Sequence, residues 1–265
     1  MQPDRIEAIP AQRRITRARQ ITVVLPAYNE AQCLPRLLSR LDDVYCEYGL
    51  NMSVLVVNDG SQDDTAECVQ AFKGDLPIKL LDLEKNQGLA NATRVGLIDA
   101  LENSDDNGII VVMDADNTHA PELILRMIRH ITEGADVVIA SRYQHGSRIR
   151  GLSAYRVLLS IGASWLFRMM VRMEGVRDYT CGYRAYRVDL LRKAFAYYDQ
   201  DMIKQSGFGV MVEILLKLKP MEPIVHEVPI ILRYDFKKGD SKMNVAKTVR
   251  ETLTLLARYV FGKTY

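Results

Sequence analysis

Two carboxylates separated by one residue, Asp114 and Asp116, close the apolar run at residues 109–113. In an extended segment, side chains two apart project to the same side. Adjacent carboxylates repel each other unless a cation sits between them. A hard divalent ion, Mg²⁺ or Mn²⁺, takes carboxylate oxygens and bridges a diphosphate. There it neutralises charge growing on a leaving phosphate. The other reading of the pair is a capping cluster for the helix that Pro121 opens. Thr118 or Asn117 can add an oxygen ligand, and His119 reads as a solvated loop residue.

Other polar groups have a similar setting. Asp59, followed by Gly60 and Ser61, either accepts hydrogen bonds from a base N–H or makes an Asx-turn. Gln87-Gly88-Leu89-Ala90 opens a helix with small residues, whose N-terminus either faces a nucleotide or packs closely. Arg142 follows a further apolar run and either reaches a phosphate or pairs at the surface. Arg184, Arg233, Lys237, Lys238 and Lys242 are further basic candidates. The polar loop at 233–242 either closes over a phosphorylated substrate or stands as a solvated hairpin.

The elements that must position these groups are short. Strands are predicted at residues 21–25, 54–57, 78–81, 109–113 and 137–140. Helices are predicted from about 31, from 63–65 to 72, at 88–101 and from 121 to about 134. This alternation implies an α/β fold with a mostly parallel sheet covered on both faces. Right-handed crossovers bring the strand C-termini to one edge, where ligands bind. The five strands end in Tyr28-Asn29-Glu30, Asn58-Asp59-Gly60, Asn86-Gln87-Gly88, Asp114-Ala115-Asp116 and Ser141-Arg142. Five polar clusters at one edge predict a binding cleft.

Beyond residue 150 the pattern changes. Helices are predicted at 152–173, 188–197, 208–219 and 244–261, a loop at 174–183 and one strand at 224–232. Three segments follow: a basic flexible tail at 1–20, one α/β domain at 21–243 with a C-terminal elaboration, and a helix at 244–265.

Composition narrows the function. Hydrophobic residues make up 48% of the 265-residue chain, enough for a sizeable core. A net charge of +2 argues against a nucleic-acid partner. Residues 145–193 nevertheless carry ten Lys/Arg against three Asp/Glu, which calls for an anionic partner on one face. Cys33, Cys46, Cys68 and Cys181 form no metal or disulfide pattern and read as free thiols in a reducing cytoplasm. No secretory signal and no membrane span are expected. The 152–173 helix sets Arg156, Arg168 and Arg172 beside Leu158, Trp165, Phe167 and Met169. It suits either a membrane interface or a core helix with snorkelling arginines. Arg13, Arg14, Arg17 and Arg19 in the tail can touch phospholipid.

Over about residues 20–245 these motifs resemble family-2 glycosyltransferases of the GT-A fold. The likeness is to the dolichol-phosphate mannose synthase and polyprenyl-phosphate glycosyltransferase branch. It rests on Pro26-Ala27-Tyr28-Asn29-Glu30, Asn58-Asp59-Gly60-Ser61, Asn86-Gln87-Gly88-Leu89, Asp114-Ala115-Asp116 and Ser141-Arg142-Tyr143. Asp178 to Ala185 and Gly239-Asp240-Ser241-Lys242 extend it toward lipid-phosphate acceptors.

The resemblance implies roles. Pro26, Tyr28, Glu30, Gly88 and Asp114 belong to the nucleotide-sugar site, and Asp59 contacts the base. Asp114 and Asp116 hold Mg²⁺ or Mn²⁺, with Thr118 in a third-ligand position. Arg142 serves the donor or acceptor phosphate. Arg184, Arg233, Lys237 and Lys242 serve the acceptor phosphate, and the family's loop arginine is matched by Arg233 or by Lys237. Asp116, Arg142 and Arg184 are the implied catalytic residues. The implied reaction is inverting transfer of a hexose, mannose ahead of glucose, from GDP-mannose or a UDP-sugar to a polyprenyl or dolichyl phosphate. The implied place is the cytoplasmic face of a membrane. A hydroxyl acceptor is the alternative; it calls for a carboxylate base, with Asp178 and Glu213 as candidates.

Overall fold

The computed structural model describes residues 19–151, 162, 164–205, 207, 209–236, 245–260 and 262. Residues 1–18, most of the first half of the 152–173 helix, and Lys237, Lys238 and Lys242 lie outside that set.

The first strands are β1 (Ile21–Ala27), β2 (Met52–Asn58), β3 (Ile78–Asp82), β4 (Ile109–Val112) and β5 (Val137–Ser141). Between them run α1 (Leu34–Tyr48), α2 (Thr65–Gln70), α3 (Leu89–Glu102) and α4 (Leu123–Thr132). Then follow β6 (Arg148–Arg150), β7 (Arg184–Arg187), α5 (Val188–Tyr198), α6 (Val210–Leu218), β8 (Val225–Pro229), β9 (Ile231–Arg233) and α7 (Val245–Val260). Residues 164–170 are helical.

One sheet runs in the order β3-β2-β1-β4-β7-β5-β8. Neighbouring strands are parallel, from Ile21 opposite Met52 at one side to Val137 opposite Val225 at the other, except at β7. β4 and β5 are buried from end to end, which is why they read as unbroken Val and Ile runs. Helices supply the cover. On α1, Leu34, Leu37, Leu38, Leu41 and Val44 form one buried stripe. The chain winds outward from β1 through β2 to β3, then crosses back to place β4 on the other side of β1. The carboxyl ends of β1 and β4 therefore flank the crevice at the reversal of strand order, where doubly wound sheets bind ligands.

Two expectations are corrected. β7 is an antiparallel strand inserted between β4 and β5, with Arg184 opposite both Val112 and Ile139. Four residues with an arginine at each end do not read as a central strand, so the sequence pattern hid it. The apolar run at 224–232 is two strands. Pro229 ends β8, since proline has no N–H for a ladder, and β9 leaves to pair with β6 in a separate parallel ribbon.

Candidate active site

The loops after β1 and β2 are laced together. Asn29 sits at φ 51°, a region that asparagine tolerates. Its N–H donates to Ser61 Oγ at 2.8 Å, and its Oδ1 accepts from the Gln62 N–H at 2.7 Å. The Glu30 N–H donates to Thr65 Oγ1 at 2.9 Å and the Ala31 N–H to Asp63 Oδ2 at 3.1 Å. Pro26, Tyr28 and Glu30 are thereby held half-buried at the carboxyl end of β1.

Asp59 makes a contact that neither of its two sequence readings includes. It is 2% exposed, and its oxygens accept the N–H groups of Gln87 at 2.9 Å and Gly88 at 2.8 Å. Burial raises its pKa against those two bonds. In this geometry it braces the corner that opens α3. Gly60 is required here: its φ is +63°, and a Cβ would stand 2.5 Å from the Lys85 carbonyl carbon.

The carboxylate pair follows β4. The Asp114 side chain is 43% exposed, whereas Asp116 is 7% exposed. Asp116 Oδ1 accepts from the Thr118 N–H at 3.1 Å and from Thr118 Oγ1 at 2.6 Å. Thr118 is buried and its hydroxyl donates to Asp116, which steadies that carboxylate. His119 is not solvated. It is 3% exposed, stacks on Tyr183 at 4.9 Å, and accepts the Asp114 N–H on Nδ1 at 3.2 Å. The Nε2 atom therefore carries the proton, 3.8 Å from Asp114 Oδ2. Gly182 closes the other side, where a Cβ would lie 3.4 Å from Asp114 Oδ1.

The donor set fits a hard divalent cation. Among the described residues no group of three or more His, Cys, Asp or Glu side chains gathers for a metal. A Mg²⁺-type ion needs only one or two carboxylates, the remaining positions going to phosphate oxygens and water.

At the end of β5, Arg142 is held by a buried partner. Its Nε donates to Asp178 Oδ2 at 2.8 Å and its Nη2 to Asp178 Oδ1 at 2.6 Å. The Arg142 N–H adds a bond to Oδ2 at 3.0 Å, and Nη2 also reaches Thr180 Oγ1 at 2.6 Å. Burial alone would raise the Asp178 pKa, but the Arg142 guanidinium overrides it and holds the carboxyl below its usual range. Glu227 on β8 supports the corner, accepting the N–H groups of Arg177 at 2.6 Å and Asp178 at 2.7 Å. The Arg142 side chain is 15% exposed, and its Nη1 has no acceptor among the described residues. A guanidinium fixed on one edge, with Nη1 lacking an acceptor among the described residues, has the chemistry to pair with an anion.

Arg184 is a correction. It is fully buried, with Nη1 donating to Met211 O and Nη2 to Tyr179 O at 2.8 Å. A side chain sealed inside the sheet, with both amino groups given to carbonyls, does not meet an acceptor phosphate. It ties the 178–182 loop to α6, and its charge further lowers the Asp178 pKa. The two candidate bases are corrected likewise. Asp178 is fully buried in its ion pair. Glu213 is 1% exposed and accepts the N–H groups of Lys204 at 3.0 Å and Gln205 at 2.9 Å.

Arg233 does reach the cleft edge, where its N–H donates to Thr118 O at 3.1 Å. Its guanidinium lies 3.8 Å over the ring of Phe236, and that of Arg36 lies 4.6 Å over the same ring. Tyr234, between them in sequence, was missed. Burial and then the charge of Asp114 push its phenol up, with Arg142 opposing and Asp116 adding. Tyr234 thus stands among the site's charges. No spacing rule links it to residues more than ninety positions away.

Comparisons with known proteins give the family and the fold. The family model for glycosyl transferase family 2 matches residues 22–195. A dolichol-phosphate mannosyltransferase of Pyrococcus furiosus is 32% identical over 240 residues, which are 90% of this chain and 63% of that protein. The chain thus spans less than two thirds of that relative. An undecaprenyl-phosphate mannosyltransferase of Micrococcus luteus is 33% identical over 226 residues, 85% of this chain and 88% of that one. Glucosyl-3-phosphoglycerate synthase from Mycobacterium tuberculosis, crystallised with Mn²⁺, uridine diphosphate and glucosyl-3-phosphoglycerate, superposes with a TM-score of 0.69 at 19% identity. That alignment covers 98% of this chain and 86% of that one, and it shows the GT-A fold.

Proposed function

Since this chain belongs to glycosyl transferase family 2, we propose that it moves a mannosyl group from a nucleoside diphosphate sugar onto a polyprenyl phosphate, with inversion at the anomeric carbon. The names of the relatives support a mannosyl donor and a polyprenyl phosphate acceptor. The observation that carries the acceptor is Arg142, fixed by buried Asp178 at the sheet edge that also bears Asp114 and Asp116.

Asp114 and Asp116 hold Mg²⁺ or Mn²⁺, which when bound stabilises the departing diphosphate. Thr118 holds the Asp116 carboxylate, and His119 holds the backbone at Asp114. Pro26, Tyr28, Glu30 and Gly88 line the nucleotide-sugar side, GDP-mannose or a UDP-sugar being the donor. Asp59 keeps the corner at Gly88 in place. Arg142, with Arg233 at the cleft edge, holds the acceptor phosphate in line with the anomeric carbon. Lys237 and Lys242 serve the same acceptor phosphate in this proposal. A phosphate oxygen is already anionic at neutral pH and attacks without a general base. That suits a site whose Asp178 and Glu213 are both buried and engaged.

The acceptor is a lipid, so the protein works at a membrane surface. None of the described helices is long and apolar enough to cross a membrane. The four cysteines form no disulfide with one another, which suits the cytoplasmic face. Residues 21–243 form the catalytic unit in this proposal, and the helix α7 at Val245–Val260 follows it.

The test is nucleoside diphosphate release from a panel of nucleotide sugars, with and without a short polyprenyl phosphate and Mn²⁺. GDP-mannose is expected to give the fastest release that depends on acceptor. Release from every donor at the same rate, with or without acceptor, would remove this reading.

A further inference from the structure

We propose that the outer face of the β6–β9 ribbon is a docking surface for anionic phospholipid headgroups. The register sets Arg148 opposite Ile231, Ile149 opposite Leu232 and Arg150 opposite Arg233. Alternation along each strand separates the two faces. Leu232 is buried and Ile149 packs against the core. Arg148 and Arg150 are exposed, Ile231 is 49% exposed and Arg233 is half-buried. Three arginines and one isoleucine thus share the face turned away from the core.

That face is unfavourable in isolation. Like charges directly opposite each other weaken a strand pair, and a two-stranded ribbon is marginal to begin with. Arg233 turns its guanidinium over the Phe236 ring. No ion pair between described residues involves Arg148 or Arg150. Anionic headgroups supply a countercharge for Arg148 and Arg150. The exposed Ile231, set among arginines, suits the boundary between headgroups and acyl chains.

The position of the ribbon gives this surface a purpose. Ser147, just before β6, donates through Oγ to Ser141 O at 2.7 Å, at the end of β5. At the other end the Arg233 N–H holds Thr118 O of the carboxylate loop. The ribbon therefore stands at the same sheet edge as Arg142 and Asp116. A bilayer against it holds the cleft mouth next to the plane in which a lipid-linked phosphate lies. The inference rests on the polyprenyl phosphate reading for that purpose and names Arg148 and Arg150 as the membrane contact.

The experiment compares the full chain with Arg148→Glu/Arg150→Glu and Arg148→Gln/Arg150→Gln. Sedimentation with vesicles is measured for phosphatidylglycerol mixed with phosphatidylcholine and for phosphatidylcholine alone. Sugar transfer to a short, water-soluble polyprenyl phosphate is measured in parallel. The wild type is expected to bind only the anionic vesicles, and less as salt rises. Each arginine lost weakens binding about fivefold, so the glutamine pair falls about twenty-five-fold and the glutamate pair further. Transfer to the soluble acceptor stays unchanged. Wild-type levels of vesicle binding in both variants would overturn the proposal. So would equal wild-type binding to neutral vesicles, or a parallel loss of transfer to the soluble acceptor, which would place the arginines in the acceptor site. If the wild type transfers to no polyprenyl phosphate, the functional reading fails while the vesicle arms still decide the docking surface.

Discussion

Asp116→Ala is expected to lower sugar transfer by about a thousandfold or more while leaving the fold in place. The carboxylate supplies a metal ligand, and charge stabilisation of a leaving diphosphate is worth several kcal/mol, each ~1.4 kcal/mol being tenfold in rate. The fold survives because removing one of two adjacent carboxylates relieves repulsion, at the cost of two hydrogen bonds from Thr118. Asp116→Asn separates these effects, since its amide oxygen can still accept the Thr118 N–H but lacks the charge. Activity should also disappear in EDTA and return with Mn²⁺ or Mg²⁺. Full activity of Asp116→Ala, or full activity in EDTA, contradicts the assignment of the pair.

Arg142→Lys is expected to lower transfer to polyprenyl phosphate by about ten- to a hundredfold relative to hydrolysis of the donor by water. Lysine keeps a charge but cannot hold Asp178 with two parallel bonds while offering a third nitrogen to a phosphate. Arg142→Ala is a poorer probe because it strands a fully buried carboxylate, a change that costs about 3–5 kcal/mol of stability. The pair also has a definite pH sense. The Asp178 pKa is depressed in the folded state, so its contribution is complete above the unfolded value and is lost as pH falls through the folded one. Acid unfolding of Asp178→Asn should therefore be flatter than that of the wild type. Equal losses of transfer and hydrolysis in Arg142→Lys would remove Arg142 from the acceptor site.

The five parallel strands and their polar ends are legible in the sequence because two independent patterns coincide there. Short β-branched runs identify strands buried on both faces, and each stops at residues that no core would accept. Asp114 and Asp116 are legible for the same reason. What the sequence hides is burial of charge. Arg184 and Arg142 are the same residue type in similar loop-and-strand surroundings, yet one is sealed between β4 and β5 and the other keeps an open edge. Only the insertion of antiparallel β7 separates them, and that strand carries no period of its own. The Arg142–Asp178 pair spans thirty-six positions, and the stack of His119 on Tyr183 joins two loops from different parts of the chain. Such contacts follow from topology, which residue spacing does not encode.

The central claim is that the acceptor is a phosphate. The most direct measurement gives the enzyme GDP-mannose, Mn²⁺ and two acceptors of equal chain length, one a polyprenyl phosphate and the other the corresponding polyprenol. Labelled product is counted after extraction into organic solvent. Arg142, held open toward an anion by buried Asp178, predicts transfer to the phosphate alone. Equal transfer to the polyprenol would contradict the account and leave a hydroxyl-acceptor glycosyltransferase in its place.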